Sequence, residues 1–368
     1  MATRRSPLVR RSLGAAVALP LLLSGCGALG MGDGDGGDGG SGASASGDVG
    51  TVVTAFYPLT WITEQVAGDG VEVVNLVEPG GEPHDLELSV AQTGEVADAG
   101  LVVYLSQFQP SVDAAVEQSA GDRSLDLASA VDLLTPAEED EHDHADEGHS
   151  EDEHADEHGD EHADEGHSEG EHAEEGHSED EHADEEGHDH GDEHDHGDLD
   201  PHFWLDPLRL ADAGDAVAER LAEVDPDNAA AYEDNAAAVR AELEALDQEY
   251  VAGLASCERD VVVVNHDAFG YLDRYGLDFH SITGITPDAE PTPAVLAELQ
   301  ELIASDGITT VFAERLASSH DADALAADTG LEVKVLDPIE GLTDQTADED
   351  YLSLMRSNLE ALVEANGC

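Results

Sequence analysis

The segment TVVTAFYPLTWITEQVAGDGVEVVNLV, residues 51–77, holds one full period of the rhythm from which the chain is built. Residues 51–55 and 71–77 are β-branched runs of strand length, and residues 59–67 between them carry apolar side chains at helical spacing. Strand, helix and strand in this order predict a parallel βαβ crossover. Outward from it, residues 89–97 and 111–118 read as helices on either side of a strand at 101–105. A second series has strands at 261–265, 279–283, 308–313 and 331–336, and helices near 268–275, 292–304, 321–328 and 350–364.

Two different stretches separate the series. Residues 138–200 contain 14 of the chain's 19 histidines, many acidic residues and no Lys, Arg or aromatic residue. Such a composition cannot bury enough apolar area to offset its ordering entropy, so a disordered insertion is expected. Order should resume at Leu199, with a helix from Pro207 to Val224. An Ala- and Glu-rich run follows, with Tyr232, Val239, Leu243, Leu246 and Tyr250 at helical spacings, and it predicts one long helix. The expected fold is α/β: two similar βα lobes with mostly parallel sheets, at 49–225 and 255–368, joined by an interdomain helix at 226–254.

The first 25 residues read as a targeting segment, with a basic stretch to Arg11, an apolar run from Leu13 to Leu23 and then Ser24-Gly25-Cys26. The run is short for a membrane span. Its Leu-Ser-Gly-Cys ending resembles a bacterial lipobox, which implies cleavage before Cys26 and a lipid on its thiol. Residues 26–48 then form a Gly-, Ser-, Ala- and Asp-rich tether, and Arg10-Arg11 is compatible with twin-arginine export. The expected location is the outer face of the cytoplasmic membrane. Only Cys257 and Cys368 are left, and two remaining cysteines in an exported chain are expected to pair.

Charge excludes several functions. Against 86 acidic residues stand 13 basic ones, a balance that repels nucleic acid and attracts cations. The sole lysine, Lys334, lies in no GxxxxGK[ST] loop, so ATP hydrolysis by that route is absent. If the chain serves transport, another subunit must supply the energy.

Outside the insertion five histidines remain: His84, His202, His266, His280 and His320. The first three fall where a strand has just ended or a helix is about to begin, the rim at which open α/β sheets bind ligands. They come from three segments and both lobes, and Asp337, closing the strand VKVLDP, can add a carboxylate. Three nitrogens and one oxygen suit tetrahedral Zn²⁺, and imidazole makes Mn²⁺ the weaker candidate. Glu314 reads better as an ion-paired or capping carboxylate than as a ligand. Glu82 is open between a site cover and a solvated loop residue, and Asp206 and Asp267 read as helix caps ahead of partners to the imidazoles.

The motifs EPHDLELS (82–89), DPHFWLDP (200–207), NHDAFGYLDRYGL (265–277), EPTPAVLAEL (290–299) and VLDPIEGL (335–342) occur in that order. Together they resemble the zinc-specific solute-binding proteins of ABC importers, the ZnuA-type members with a rigid interdomain helix. The resemblance covers about residues 50–368 and includes the acidic, histidine-rich insertion. It implies ligand roles for His84, His202 and His266, a carboxylate position matched by Asp337, and zinc rather than manganese as cargo. It further implies an ABC permease and its ATPase as partners, with the receptor itself a monomer and not an enzyme. Two rivals stand beside it. A zinc hydrolase also uses three histidines, but no HExxH is present and a fourth ligand would close the position that water needs. A surface adhesin would keep the metal site and need no permease.

Overall fold

A computed structural model describes residues 49–134 and 199–368. The expected signal peptide, the tether with Cys26, and all of the insertion but Leu199 and Asp200 lie outside the described residues.

Two four-stranded parallel sheets make the framework. The first contains β1 (Thr51–Thr54), β2 (Glu72–Asn75), β3 (Leu101–Tyr104) and β4 (Ser124–Asp126), in the order β2-β1-β3-β4. In the central pairing Val53 stands opposite Val74 on one side and Val102 on the other. Its crossovers carry α1 (Tyr57–Ala67), α2 (Val90–Asp98) and α3 (Pro110–Ser119). The second sheet repeats the plan with β5 (Val261–Val264), β6 (Asp278–Ser281), β7 (Thr310–Ala313) and β8 (Glu332–Val335), ordered β6-β5-β7-β8. With it run α6 (Pro293–Asp306), α7 (His320–Thr329) and α8 (Tyr351–Asn366). The expected α/β class with two parallel sheets is therefore observed.

Between the sheets lie α4 (Pro207–Val224) and α5 (Ala229–Leu254). At 26 residues and 1.5 Å per residue, α5 is about 39 Å long. It buries Tyr232, Ala236, Val239, Leu243, Leu246, Tyr250 and Leu254 along its length and packs against α4, α1 and α8. Gly214 lets α4 come close to α1, since a β-carbon there would lie 3.0 Å from the Ile62 side chain. One apolar core consequently runs from the first sheet through α1, α4 and α5 to Phe269, Leu272, Met355 and Leu362 of the second lobe. A smaller cluster, including Val263, Ile282, Ile303, Val311 and Leu325, fills the opposite face of the second sheet. Val262 and Val264 face the large core and Val263 the small one, as the two-residue period of a strand requires.

Two local expectations need correction. The strand β4 was not anticipated, because Ser-Leu-Asp has no apolar run and owes its place to pairing with β3. The helix expected at 268–275 is a 3₁₀ segment, Gly270–Tyr275, ended by Gly276 at φ 86°, where only glycine sits without strain. Cys257 and Cys368 form the expected disulfide, which ties the chain's end to the start of the second lobe. Among the described residues no helix is long and apolar enough to cross a membrane.

Candidate metal centre

Every strand of both sheets points its C-terminal end toward loops, and the loops after β2, β5 and β8 each deliver a side chain to one buried point. After β2, the Asn75 carboxamide oxygen accepts the Val77 N–H at 3.0 Å. A tight turn follows in which the Gly81 N–H donates to the Glu78 carbonyl at 2.8 Å and Gly80 takes φ 82°. The Gly80 N–H reaches across to the Leu342 carbonyl at 2.7 Å, so this loop is bonded to the one that follows β8. Glu82 accepts the His84 N–H at 3.1 and 3.2 Å. The Gln109 amide donates to the Pro83 carbonyl at 3.0 Å, and Phe108 meets the His84 ring edge-on, with centroids 4.8 Å apart.

His202 begins the turn before α4. Its backbone N–H and its Nδ1–H both donate to Asp200 Oδ1, at 2.9 and 2.7 Å. Trp204 holds the same turn against the other lobe, its indole N–H donating to the Pro338 carbonyl at 2.7 Å, while the Tyr351 hydroxyl donates to the Trp204 carbonyl. His266 lies just past β5. Its backbone N–H and Nδ1–H donate to Glu314 Oε1 at 3.0 and 2.7 Å, and Glu314 itself lies one residue beyond β7. A carboxylate can only accept, so each Nδ1 must carry a proton, and Nε2 is the ring atom that can ligate a metal once it gives up its own.

The three Nε2 atoms meet Glu340, and not Asp337. Glu340 Oε1 lies 3.1 Å from His84 Nε2, 3.2 Å from His202 Nε2 and 3.4 Å from His266 Nε2, with the last two nitrogens 3.3 Å apart. All four potential ligand atoms lie within 4.8 Å of one another, and all four residues are buried. Tetrahedral arms of 2.0–2.1 Å, as zinc makes with imidazole, have edges of about 3.3–3.4 Å. Four of the six edges, the three to Glu340 and the one between His202 and His266, therefore already have about the length such a tetrahedron requires, and the two from His84 to the other imidazoles are within 4.8 Å.

Asp337, the carboxylate expected at the fourth corner, is turned elsewhere. Its Oδ1 accepts the Ile339 N–H at 2.8 Å and its Oδ2 pairs with the Arg315 guanidinium at 3.0 Å. The turn it stabilises puts Ile339 at φ 59°, an uncommon conformation for a β-branched residue. That reversal swings Glu340 inward. Asn358 fixes the turn's start, accepting the Asp337 N–H at 2.9 Å and donating to its carbonyl at 2.6 Å.

Burial and charge act in opposition here. Burial lowers His84. Burial also acts to lower His202 and His266, but Asp200 and Glu314 outweigh it, and His266 is raised to about 10. Glu340, despite burial that favours its neutral form, is held well below the usual carboxylate range by its imidazole partners. Glu82 is pushed up to about 8, first by burial and then by the charge of Glu340.

The remaining candidates fall outside the cluster. Asp206 caps α4 through the Leu208 N–H at 2.9 Å and pairs with Arg274. Asp267 caps no helix; the 3₁₀ segment after it begins from Phe269. His280 pairs with Asp278 at 3.1 Å on β6, and His320 opens α7.

Comparison with known proteins agrees with this geometry. Residues 52–365 match the family described as zinc-uptake complex component A, periplasmic. The chain belongs to this family. It is 33% identical over 319 residues to the zinc-binding lipoprotein AdcA of Streptococcus pneumoniae, a match covering 84% of this chain and 54% of AdcA. The chain thus spans about half the length of that relative. Against the high-affinity zinc uptake system protein ZnuA of Bacillus subtilis it is 32% identical, with 87% of this chain and 88% of that protein covered. The crystal structure of the Zn(II)-bound ZnuA-like domain of S. pneumoniae AdcA superposes with a TM-score of 0.62 at 28% identity, covering 86% of this chain and 99% of that domain. Family and neighbouring structures agree on the two-lobed α/β fold.

Proposed function

We propose that this chain is an extracytoplasmic zinc receptor that captures Zn²⁺ with high affinity and hands it to an ABC permease driven by its own ATPase. The observation that carries the proposal is the convergence of three imidazoles and one carboxylate, His84, His202, His266 and Glu340, on one buried point, with all four potential ligand atoms within 4.8 Å of one another. In this reading the three Nε2 atoms and Glu340 Oε1 bind the ion as cargo. Three neutral imidazoles and one carboxylate leave the bound site with a single positive charge, which the carboxylates of Asp200 and Glu314 help to balance through the histidine rings.

Glu340 also argues against a hydrolase. A catalytic zinc keeps one position for water, and here a buried carboxylate already faces all three nitrogens. The receptor acts as a monomer, held to the membrane by lipid on Cys26. Residues 138–200 would collect zinc weakly and pass it on, because at neutral pH most of their imidazoles are unprotonated.

The test is metal content and affinity of the purified protein. One zinc should bind tightly, and the variant with alanine at 84, 202 and 266 should lose that site. Retention of full-strength tight binding by the triple variant would sink the assignment. Poor growth of a deletion strain under zinc starvation supports import; normal growth with loss of matrix attachment would favour an adhesin.

A further inference from the structure

Two backbone segments of the first lobe come together at Leu134 and Asp200, the residues that flank the histidine-rich stretch. The Asp200 N–H donates to the Leu134 carbonyl at 2.7 Å, an isolated antiparallel bridge. Tyr271, from the second lobe, closes this junction. Its hydroxyl donates to the Asp200 carbonyl at 2.7 Å and accepts the Leu134 N–H at 2.8 Å. Tyr271 is 2% exposed, and Arg209 lies over its ring at 5.2 Å. One phenol therefore grips both segments at once and leaves no bonding capacity of its hydroxyl hydrogen unused.

Asp200 is also the residue whose carboxylate holds His202 by backbone and ring. Tyr271 stands five positions after His266, on the 3₁₀ segment that continues from that ligand. The path from one ligand to the other thus runs from His266 through Tyr271 to the Asp200 backbone, then through the Asp200 carboxylate to His202 Nδ1. Each step is a hydrogen bond or a short covalent connection within buried structure.

We infer that Tyr271 is a positioning residue for zinc: by clasping the Leu134–Asp200 junction across the lobe interface, it sets the separation of the His202 and His266 nitrogens. The inference rests on the zinc reading above. It distinguishes Tyr271 from Tyr275, another largely buried tyrosine on the same segment. The Tyr275 hydroxyl donates to Asp247 of α5 at 2.9 Å, and not to the Leu134–Asp200 junction that Tyr271 holds.

The experiment compares full-length protein with Tyr271→Phe and Tyr275→Phe, each stripped of metal and reloaded with one equivalent of zinc. Release to a chelator is followed by the fluorescence of Trp204, whose ring lies 5.3 Å from that of His202. Melting temperature is recorded alongside. Tyr271→Phe should release zinc about tenfold faster, the low end of the effect of losing support for a metal-bound imidazole. Tyr275→Phe should lose comparable stability with release unchanged. Should Tyr271→Phe prevent folding, Leu134→Pro removes the N–H that the phenol accepts and keeps the phenol itself, and it should move release in the same direction. Unchanged release in Tyr271→Phe, or equal acceleration in both tyrosine variants, overturns the positioning role. Failure of the zinc reading has a different signature: the same fluorescence response in a chain lacking the three histidines.

Discussion

Glu314→Gln should change how zinc binding depends on pH, and the structure sets the size of the effect. The Glu314 carboxylate is the leading influence that opposes burial at His266 and raises it to about 10. Zinc must displace that proton, because the Nε2 lone pair cannot serve both. At pH 7 the competition amounts to roughly three decades, about 4 kcal/mol at 1.36 kcal/mol per unit. The sign follows directly: below the folded value the proton is bound, so apparent affinity falls as pH falls, by about tenfold per unit for this one site. In Glu314→Gln the amide oxygen can still accept the Nδ1–H, but the larger of the two charges that retain the proton is gone and only Glu340 remains. The slope between pH 6 and 8 should therefore flatten, and fewer protons should be released per zinc bound than in the parent. Calorimetry in buffers of different ionisation enthalpy counts the protons released. Equal release by the parent and Glu314→Gln would refute the assignment of Glu314 as the group that holds His266 protonated.

Three further outcomes are expected. Glu340→Gln should weaken zinc binding by about 2–5 kcal/mol, as for loss of one partner among buried charges, whereas Asp337→Asn, which loosens a pair with the part-exposed Arg315, should change it by less than about 1 kcal/mol; competition with a chromogenic chelator ranks the two. Replacing Cys257 and Cys368 with alanine opens a loop spanning a separation of 111 residues, and the chain-entropy relation gives about 5 kcal/mol of lost stability, read by denaturant unfolding with zinc stoichiometry unchanged. Removing residues 138–200 and joining the flanks should leave one tight zinc site and abolish weaker binding in equilibrium dialysis; Asp200 must be restored in the joining sequence, since it holds His202.

The three imidazoles were legible because each follows a strand or precedes a helix within a compact motif, and parallel sheets gather such positions at one rim. The choice between Asp337 and Glu340 was not. Both lie in VLDPIEGL, and Asp337 is nearer the end of β8. Glu340 wins through the positive φ of Ile339, and a β-branched residue gives no local sign of that conformation. Glu314 was expected to be an ion-paired or capping carboxylate, and its partner, His266, is 48 positions away and becomes visible only when β5 and β7 pair. Asp200 was hidden for a different reason: composition assigns it to the histidine-rich stretch, while its carboxylate is buried against His202.

The long shared core has a consequence for the order in which the molecule comes apart. Because α5 belongs to the same apolar cluster as both β1 and α8, neither lobe can lose its inner face without exposing the other's, and those amides should exchange with solvent only through the global opening. The outer layer of the second sheet has no such tie. There α6 buries only Leu299 and Ile303, so its amides should exchange early, as should those of α2, which buries only Val96, and both well before any proton near the buried histidines.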